Sequence, residues 1–270
     1  MKTKVFAFLL VLCLLTAMPA GATDAYNWYF KFAGDGQQPT VMDGSPIPDK
    51  YGAVYLGDKN EKVIYLTFDA GYGCESLDKI LAVLKEEQVK ATFFILPALV
   101  KYAKPTVMQM IEDGHLIANH TASHANMAHL NSKEAVLKEL KTLEDYYREE
   151  TGAEMSPYYR PPEGTFSEQS LAYAKELGYT AVFWSFAYVD WDNAKQPDPA
   201  ASLERILNRV HNGEVMLLHP NSATNAAIMG DMIKALKERG YRFDTVDNIK
   251  LGDSIPQVFP HPMRQDLRTP

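Results

Sequence analysis

The sequence predicts an α/β fold in which parallel strands are covered by helices. Short apolar runs rich in β-branched and aromatic residues alternate with amphipathic stretches through most of the chain. Strand followed by helix, repeated in one continuous series, is typical of a parallel sheet with helices outside it. This periodicity leaves open whether about seven repeats close into a barrel or form an open doubly wound sheet. The predicted strands cover residues 63–68, 91–96, 116–119, 180–184, 215–219 and 241–246, and the predicted helices cover residues 76–88, 103–113, 132–151, 167–178, 200–212 and 225–239.

The first 22 residues have the pattern of a secretory signal peptide. Two lysines precede an apolar run over residues 5–15, and small residues follow at 20–22. An uncleaved membrane anchor is the alternative, but the run is shorter than the roughly 20 apolar residues that span a bilayer. We therefore predict that residues 1–22 are removed on export. The mature chain then keeps one cysteine, Cys74, which excludes an internal disulfide.

Composition divides the remaining chain into three parts. Residues 23–62 carry aromatic side chains among glycine, proline and aspartate without a sustained period, and we expect an extension packed on the main domain. Residues 63–250 hold the alternating strands and helices, with enough apolar material for one core. Residues 251–270 are rich in proline and charged residues, which predicts a flexible tail.

The net charge argues against one class of partner. Removal of residues 1–22 leaves 25 basic residues against 34 acidic ones, a formal charge of −9. Proteins that bind nucleic acids present a basic surface to the phosphates. A nucleic acid is therefore not an expected partner.

Polar side chains stand at or just after the ends of several apolar runs. In parallel α/β folds the carboxyl ends of the strands form one face, and that face holds the active site. Residues that serve only stability have no reason to collect there. We therefore expect five side chains to lie near one another: Asp69, His120, Arg160, Asp190 and His219.

Each candidate also has a purely structural interpretation. The spacing of His120 and His124 directs both imidazoles to one divalent cation if they lie on a helical turn, but it also fits a polar capping turn. Asp69 follows an apolar run, where an aspartate often caps the next helix. Arg160 can hold a carboxylate such as Asp69 by a two-pronged hydrogen bond, or form an ordinary ion pair. His219 lies between an apolar run and a proline, where a core histidine is common.

Taken together, these residues carry a resemblance to a known family. Their order resembles the five motifs of the polysaccharide deacetylase family, also called the NodB-homology domain or carbohydrate esterase family 4, over residues 61–248. The resemblance implies a single distorted, partly open (β/α) barrel of about seven parallel strands. Within the family, residues 26–30, 166–168 and 183–187 are most similar to the delta-lactam-forming muramic acid deacetylases of the spore cortex. The motifs are Thr-Phe-Asp-Ala-Gly at 67–71, His-Thr-Ala-Ser-His at 120–124, Arg-Pro-Pro-Glu-Gly at 160–164, Asp-Trp at 190–191 and Leu-Leu-His at 217–219.

The resemblance implies a catalytic role for four residues. Asp69 would be the general base that takes a proton from the attacking water, and Arg160 would position it. His219 would be the general acid that protonates the leaving amine, and Asp190 would orient it and favour its charged form. The residues implied to bind the substrate are Tyr72, Pro161, Pro162 and Trp191.

The implied metal site departs from the family pattern at one position. Most members have a second aspartate directly after the base as a third metal ligand, but this chain has Ala70 there. Cortex-type members also tend to have an uncharged residue at that place. With His120 and His124 as the remaining ligands, we expect a loosely held divalent ion, with zinc as the first choice and cobalt or manganese as alternatives.

The predicted function is removal of N-acetyl groups from amino sugars of peptidoglycan. The first choice of substrate is N-acetylmuramic acid in the glycan strands of the spore cortex, on the route to muramic delta-lactam. The alternatives are a deacetylase of chitin oligosaccharides or of peptidoglycan N-acetylglucosamine, and a carbohydrate-binding homologue weakened in catalysis by Ala70. We expect a monomer without stable membrane insertion. It would act outside the cytoplasm, in the cell wall or between the membranes of the forespore.

Overall fold

The computed structural model describes residues 24–34 and 36–249. The predicted signal peptide at 1–22, the predicted tail at 251–270 and residue 250 lie outside the described residues. The strands are β1 Ala25–Asn27, β2 Phe30–Lys31, β3 Thr40–Val41, β4 Val63–Ala70, β5 Thr92–Ile95, β6 Leu116–Asn119, β7 Tyr158–Tyr159, β8 Thr165–Ser167, β9 Thr180–Ala181, β10 Glu214–Leu218 and β11 Arg242–Asp244. The α-helices are α1 Ile47–Lys50, α2 Glu75–Glu86, α3 Pro97–Tyr102, α4 Lys104–Glu112, α5 Lys133–Thr151, α6 Glu168–Glu176, α7 Pro199–Arg209 and α8 Ala223–Glu238.

The predicted α/β fold with parallel strands is confirmed. Seven strands form one curled sheet in the order β10, β4, β5, β6, β7 and β9, and β11 pairs with the first residues of β4, ahead of the start of β5. The long strand β4 lies next to the end strand β10 and has three neighbours, because it pairs with β10 along one edge and with β5 and β11 along the other. Its residues are buried apart from the half-buried Asp69, as expected for a parallel strand covered on both faces.

The residues that follow β9 pair first with β7 and then with β10, on the other side of the curled sheet. The predicted strand 180–184 is regular only over β9, because the following residues change partners. The Val182 amide donates to Tyr159 O at 2.8 Å, and the Leu217 amide donates to Phe186 O at 2.9 Å. The structure also contains several short elements outside the predicted ranges, among them strand β7 and helix α3.

Serine side chains begin several helices on the side of the sheet that holds the candidate residues. Ser132 caps α5, Ser167 forms a capping box at the start of α6, and Ser222 caps α8. Helix α5 ends at Gly152, whose φ of 73° is in the left-handed region that favours glycine. These caps define where each helix starts behind the strand ends.

The segment before β4 packs on the turn that follows β7. Strand β1 pairs antiparallel with β8. The buried Trp28 stacks on Phe183 with ring centroids 4.3 Å apart, and its indole N–H donates to Trp184 O at 2.8 Å. Gly164 has a φ of 67°, and a Cβ there would lie 2.8 Å from atoms of both tryptophans. The indole of Trp28 therefore fixes the backbone of a residue, Trp184, that lines the site described next.

Candidate active site

A cavity of about 590 Å³ opens at the carboxyl ends of the strands. This is the face on which parallel α/β folds place their ligands. Of the side chains proposed from the sequence, those of Arg160 and Asp190 lie behind the cavity wall, fully buried. The proposed side chains that do line the cavity are Asp69, Tyr72, His120, His124, Trp191 and His219.

Asp69 and Arg160 form a buried ion pair. The guanidinium Nη1 donates to Asp69 Oδ1 at 2.7 Å, while Nη2 donates to Thr67 Oγ1 at 2.8 Å. The expected two-pronged bond to Asp69 is therefore wrong, because the threonine takes the second nitrogen. Burial alone raises the pKa of Asp69, but the positive charge of Arg160, helped by His120 and His219, outweighs burial and holds this pKa below its usual value. Asp69 is therefore ionised at neutral pH.

The ring of His120 stands next to this carboxylate. Its Nδ1 lies 3.1 Å from Arg160 O, which makes Nδ1 the N–H donor and leaves the lone pair on Nε2. Nε2 lies 3.6 Å from Asp69 Oδ2. Burial lowers the pKa of His120 to about 4, so the ring is neutral at physiological pH. A neutral imidazole with a free Nε2 is the form that binds metal ions.

His124 lies beside His120, but the two residues do not share a helical turn. Their ring centroids are 5.1 Å apart with planes inclined at 75°. The connecting residues form a loop, and Thr121 and His124 have φ values of 70° and 57°. The expectation of a helical turn is therefore wrong. The loop is held by side chains instead, since Glu139 of α5 accepts hydrogen bonds from both the amide and the hydroxyl of Ser123.

His120 and His124 are the residues that could hold a divalent ion. Their imidazoles suit zinc or a similar metal, with further positions left to water or substrate. Ala70 is buried and offers no ligand atom. Accordingly, no cluster of three or more histidine, cysteine, aspartate and glutamate side chains within residues 24–34 and 36–249 has the arrangement of a metal site. The donors present fit an ion with two protein ligands.

On the other side of the cavity, His219 is bound to Asp190. His219 Nδ1 lies 2.7 Å from Asp190 Oδ1, and the other carboxylate oxygen accepts the His219 amide at 2.8 Å. The imidazole is 24% exposed, whereas the carboxylate is fully buried. Burial alone lowers the pKa of His219, but the hydrogen bond and charge of Asp190 outweigh it, so the pKa is raised above 6.5. The second ring nitrogen is left for a ligand in the cavity.

Two aromatic side chains stand at the mouth, but the predicted prolines do not. Tyr72 and Trp191 line the cavity and are 54% and 57% exposed. Pro161 and Pro162 are buried and are not among the residues that line it. The backbone turns at Glu163, whose φ is 56°, and brings this carboxylate to the cavity in their place. The two prolines therefore stiffen the loop behind the cavity wall and do not contact the cavity themselves.

Three further residues contribute to the site without having been predicted. Thr67 binds Arg160, Trp184 lines the cavity, and Asn225 donates to Asp190 Oδ2 at 2.7 Å. Thr67 and Trp184 lie inside predicted strands, where they read as ordinary strand residues. Asn225 lies three residues after the Ser222 cap, where asparagine is unremarkable in sequence. Only its distance to Asp190 identifies it.

The cavity thus brings together an ionised carboxylate, a carboxylate-bound histidine and two further imidazoles, side chains of the types that hydrolases use. The model of the polysaccharide deacetylase family matches residues 56–182. Peptidoglycan-N-acetylmuramic acid deacetylase PdaA of Bacillus subtilis is 35% identical over 247 residues, which cover 88% of this chain and 94% of that protein. A peptidoglycan-N-acetylglucosamine deacetylase of Bacillus cereus is 33% identical over 205 residues, covering 74% of this chain and 73% of that one. The solved structure of Bacillus subtilis PdaA, described as a family 4 carbohydrate esterase, matches with a TM-score of 0.79 at 36% identity and covers 86% of this chain and 98% of its own.

The chain belongs to the polysaccharide deacetylase family, carbohydrate esterase family 4. The resemblance inferred from the five motifs is confirmed, and so is the partly open barrel that it implied. The predicted class of activity, hydrolytic de-N-acetylation of polysaccharides, is confirmed with the family. Enzymes of this family generally depend on a metal ion.

Proposed function

We propose that this protein removes the N-acetyl group from N-acetylmuramic acid residues of peptidoglycan, giving acetate and a free amine. The observation that carries the proposal is the convergence of Asp69, the pair His120 and His124, and the Asp190-bound His219 on one cavity. The substrate named for Bacillus subtilis PdaA supports the choice of sugar. Action on the spore cortex, on the route to muramic delta-lactam, is part of this proposal.

In the first half of the reaction, Asp69 is the general base. Water attacks the acetyl carbonyl carbon and gives its proton to the carboxylate. The lowered pKa of Asp69 keeps it ionised, and its bond to Arg160 through Oδ1 leaves Oδ2 on the side of His120. Arg160 is in turn fixed by Thr67 and by the Val182 carbonyl at 3.1 Å. The base is therefore held in one orientation before the substrate arrives.

In the second half, His219 is the general acid. The tetrahedral intermediate collapses, the C–N bond breaks, and the nitrogen takes a proton from the imidazole as it leaves with the bonding pair. An amine leaves poorly without that proton. The raised pKa of His219 supports this role because it keeps the imidazole protonated to higher pH. Asp190 maintains the charge and the ring orientation through its 2.7 Å bond to Nδ1.

His120 and His124 are the proposed ligands of a divalent ion, zinc by preference or cobalt or manganese. When bound, such an ion supplies Lewis-acid polarisation of the acetyl carbonyl and of the attacking water. The chain's own contribution is to keep His120 neutral by burial and to fix its tautomer on Arg160 O. Because Ala70 supplies no third ligand, the ion would have only two protein ligands, which agrees with loose binding.

The test is a comparison of substrates. The chain without residues 1–22, supplied with zinc, is incubated with glycan strands carrying peptide-free N-acetylmuramic acid and, separately, with chitin oligomers, and acetate is measured. The proposal expects acetate from the muramic acid glycans at a higher kcat/KM than from chitin. Acetate from chitin alone would overturn the choice of sugar, and acetate from neither would overturn the activity.

A second candidate substrate, N-acetylglucosamine, is favoured by the charges at the cavity. Peptide-free muramic acid carries a lactyl carboxylate, which a cation in the wall would attract. The described residues that line the cavity include no lysine or arginine, and Glu163 adds a carboxylate at the rim. A neutral sugar avoids this repulsion. The relative from Bacillus cereus, named for N-acetylglucosamine, is consistent with this alternative.

The proposed location is outside the cytoplasm. The named relatives act on peptidoglycan, which supports a protein of the cell wall. The signal peptide at 1–22, the extension from residue 23 and the tail at 251–270 remain predictions. Within the part of the chain that the structure describes, no helix is both long and apolar enough to cross a membrane. A monomer acting on glycan strands, without nucleic acid as a partner, is the form that we propose.

A further inference from the structure

We propose that Asn225 is a positioning residue for the general acid and acts through Asp190, with Tyr188 donating a hydrogen bond to its amide oxygen. This inference rests on the proposed role of His219. Asn225 is fully buried and does not line the cavity, so it has no contact with a substrate there. It lies in the first turn of α8, where its backbone amide donates to the Ser222 hydroxyl at 3.1 Å.

The amide of Asn225 closes a ring of hydrogen bonds behind His219. Nδ2 donates to Asp190 Oδ2 at 2.7 Å and to the His219 carbonyl at 3.0 Å. The same Oδ2 accepts the His219 backbone amide at 2.8 Å. With Oδ2 bound by two donors, the other carboxylate oxygen is directed at His219 Nδ1. The Asp190 carboxylate is thus bonded both to the backbone amide and to the ring of His219.

The neighbours of this side-chain amide fix its orientation. The Tyr188 hydroxyl bonds to Asn225 Oδ1. An asparagine has two donors on nitrogen and an acceptor oxygen, and here both donors face acceptors and the oxygen faces a hydroxyl. The reversed amide would place its oxygen against the Asp190 carboxylate and leave a buried charge without its donor. The Asp190 carboxylate and the His219 carbonyl can only accept, so they fix the amide nitrogen on their side, and the Tyr188 hydroxyl donates to the remaining oxygen.

The expected consequence is on proton transfer more than on substrate binding. The charged groups that act on His219 are Asp190 and Asp69, which raise its pKa, and Arg160, which lowers it. Burial is the largest influence and lowers the pKa. If Asp190 is no longer held against Nδ1, burial dominates and the imidazole loses its proton at lower pH. A residue that only stabilised the fold would not move this titration.

The experiment compares the parent protein with Asn225→Leu and Tyr188→Phe. One measurement is the pH dependence of kcat and KM for acetate release, and the other is the titration of the His219 imidazole by ¹⁵N NMR, which needs no turnover. We expect Asn225→Leu to lower kcat about 10-fold with little change in KM. We expect its His219 midpoint to move by about half a pH unit or more toward lower pH. Tyr188→Phe should move the midpoint in the same direction by a smaller amount.

A matched control is Tyr179→Phe, which removes a half-buried tyrosine hydroxyl bonded to Glu144 away from the cavity. Its His219 midpoint should equal that of the parent. A midpoint that is unchanged or raised in Asn225→Leu overturns the inference, and Tyr188→Phe decides by the same criterion if Asn225→Leu does not fold. If the midpoint shifts in Asn225→Leu but the parent protein itself releases no acetate, the proposed function is overturned and the positioning role remains.

Discussion

Two histidine–carboxylate pairs stand at opposite ends of strand β10. Before the strand, His211 Nδ1 lies 3.1 Å from Glu214 Oε2, and the other ring nitrogen lies 3.0 Å from the Ser185 hydroxyl. After the strand, His219 Nδ1 lies 2.7 Å from Asp190 Oδ1. The first set has the serine, histidine and acid of a nucleophilic hydrolase, and the second has no serine bound to its ring.

Access separates the two pairs, not the chemistry of the groups. The side chains of His211 and Glu214 are 2% and 0% exposed, and neither they nor Ser185 are among the described residues lining the cavity. His219 is 24% exposed and lies at the carboxyl end of β10. The comparison teaches that a triad of suitable residues is a site only where a substrate can reach it. We therefore propose that the amino-terminal pair serves the fold and that the carboxyl-terminal pair serves the reaction.

The largest effect should come from the carboxyl-terminal pair. His219→Gln removes the proposed general acid, and we expect kcat for acetate release to fall about 10²- to 10⁴-fold. The free energy of unfolding should fall only slightly, because the buried Asp190 keeps its hydrogen bonds from the residue 219 backbone amide and from Asn225. Urea denaturation provides that control. A kcat within about twofold of the parent would be incompatible with the assigned acid.

The opposite result is expected at the amino-terminal pair. His211→Ala leaves Glu214 buried without its partner, which should lower the free energy of unfolding by about 3–5 kcal/mol. The milder Ser185→Ala removes two buried hydrogen bonds, with the His211 ring and from the Val215 amide, and should cost about 2 kcal/mol. Both are measured by urea denaturation, with kcat corrected for the folded fraction. A large loss of kcat in fully folded Ser185→Ala would contradict the separation of roles.

Metal removal should affect only one end of the strand. Chelation is expected to lower acetate release about 100-fold, and zinc or cobalt should restore it, because His120 and His124 face the same cavity as His219. The unfolding of the protein should change little, since the pair at His211 needs no ion. Full activity in protein shown by elemental analysis to be metal-free would exclude the proposed metal.

The smallest effect is a shift in the pH profile. Asp190→Asn removes the hydrogen bond and charge that raise the pKa of His219, so that burial lowers this pKa below 6.5. Because the general acid must be protonated, activity is lost as pH rises through its pKa. The alkaline limb of kcat/KM should therefore move to lower pH, with a loss of about 10-fold at neutral pH. If the alkaline limb does not move, Asp190 does not raise the pKa of the general acid.

The elements that could be predicted from sequence are those with strong local patterns. The apolar run before Asp69 and the amphipathic stretch of α5 determine their own conformation, and both lie where predicted. Strand β7 has only two residues and is defined by its pairing with β6 and β9, so it is too short to show a strand pattern in the sequence. The spacing of His120 and His124 left a helical turn and a polar capping turn both open, because the conformation of this loop depends on the distant Glu139.

The candidate site shows the same division. Residues such as Asp69 and His219 could be proposed because strand ends in parallel folds converge on one face. The departures are tertiary: Thr67 takes the second nitrogen of Arg160, and Glu163 reaches the cavity in place of Pro161 and Pro162. These contacts join residues far apart in the chain, and spacing alone carries no information about them. Asn225 belongs to the same class.

The central claim is that Asp69 activates water in this cavity, and Asp69→Asn tests it most directly. The change keeps the shape of the side chain and removes the base. Acetate release from peptide-free muramic acid glycans should fall at least about 100-fold, with the protein folded and the metal content equal to that of the parent. Release at the parental rate by the folded variant would contradict the account.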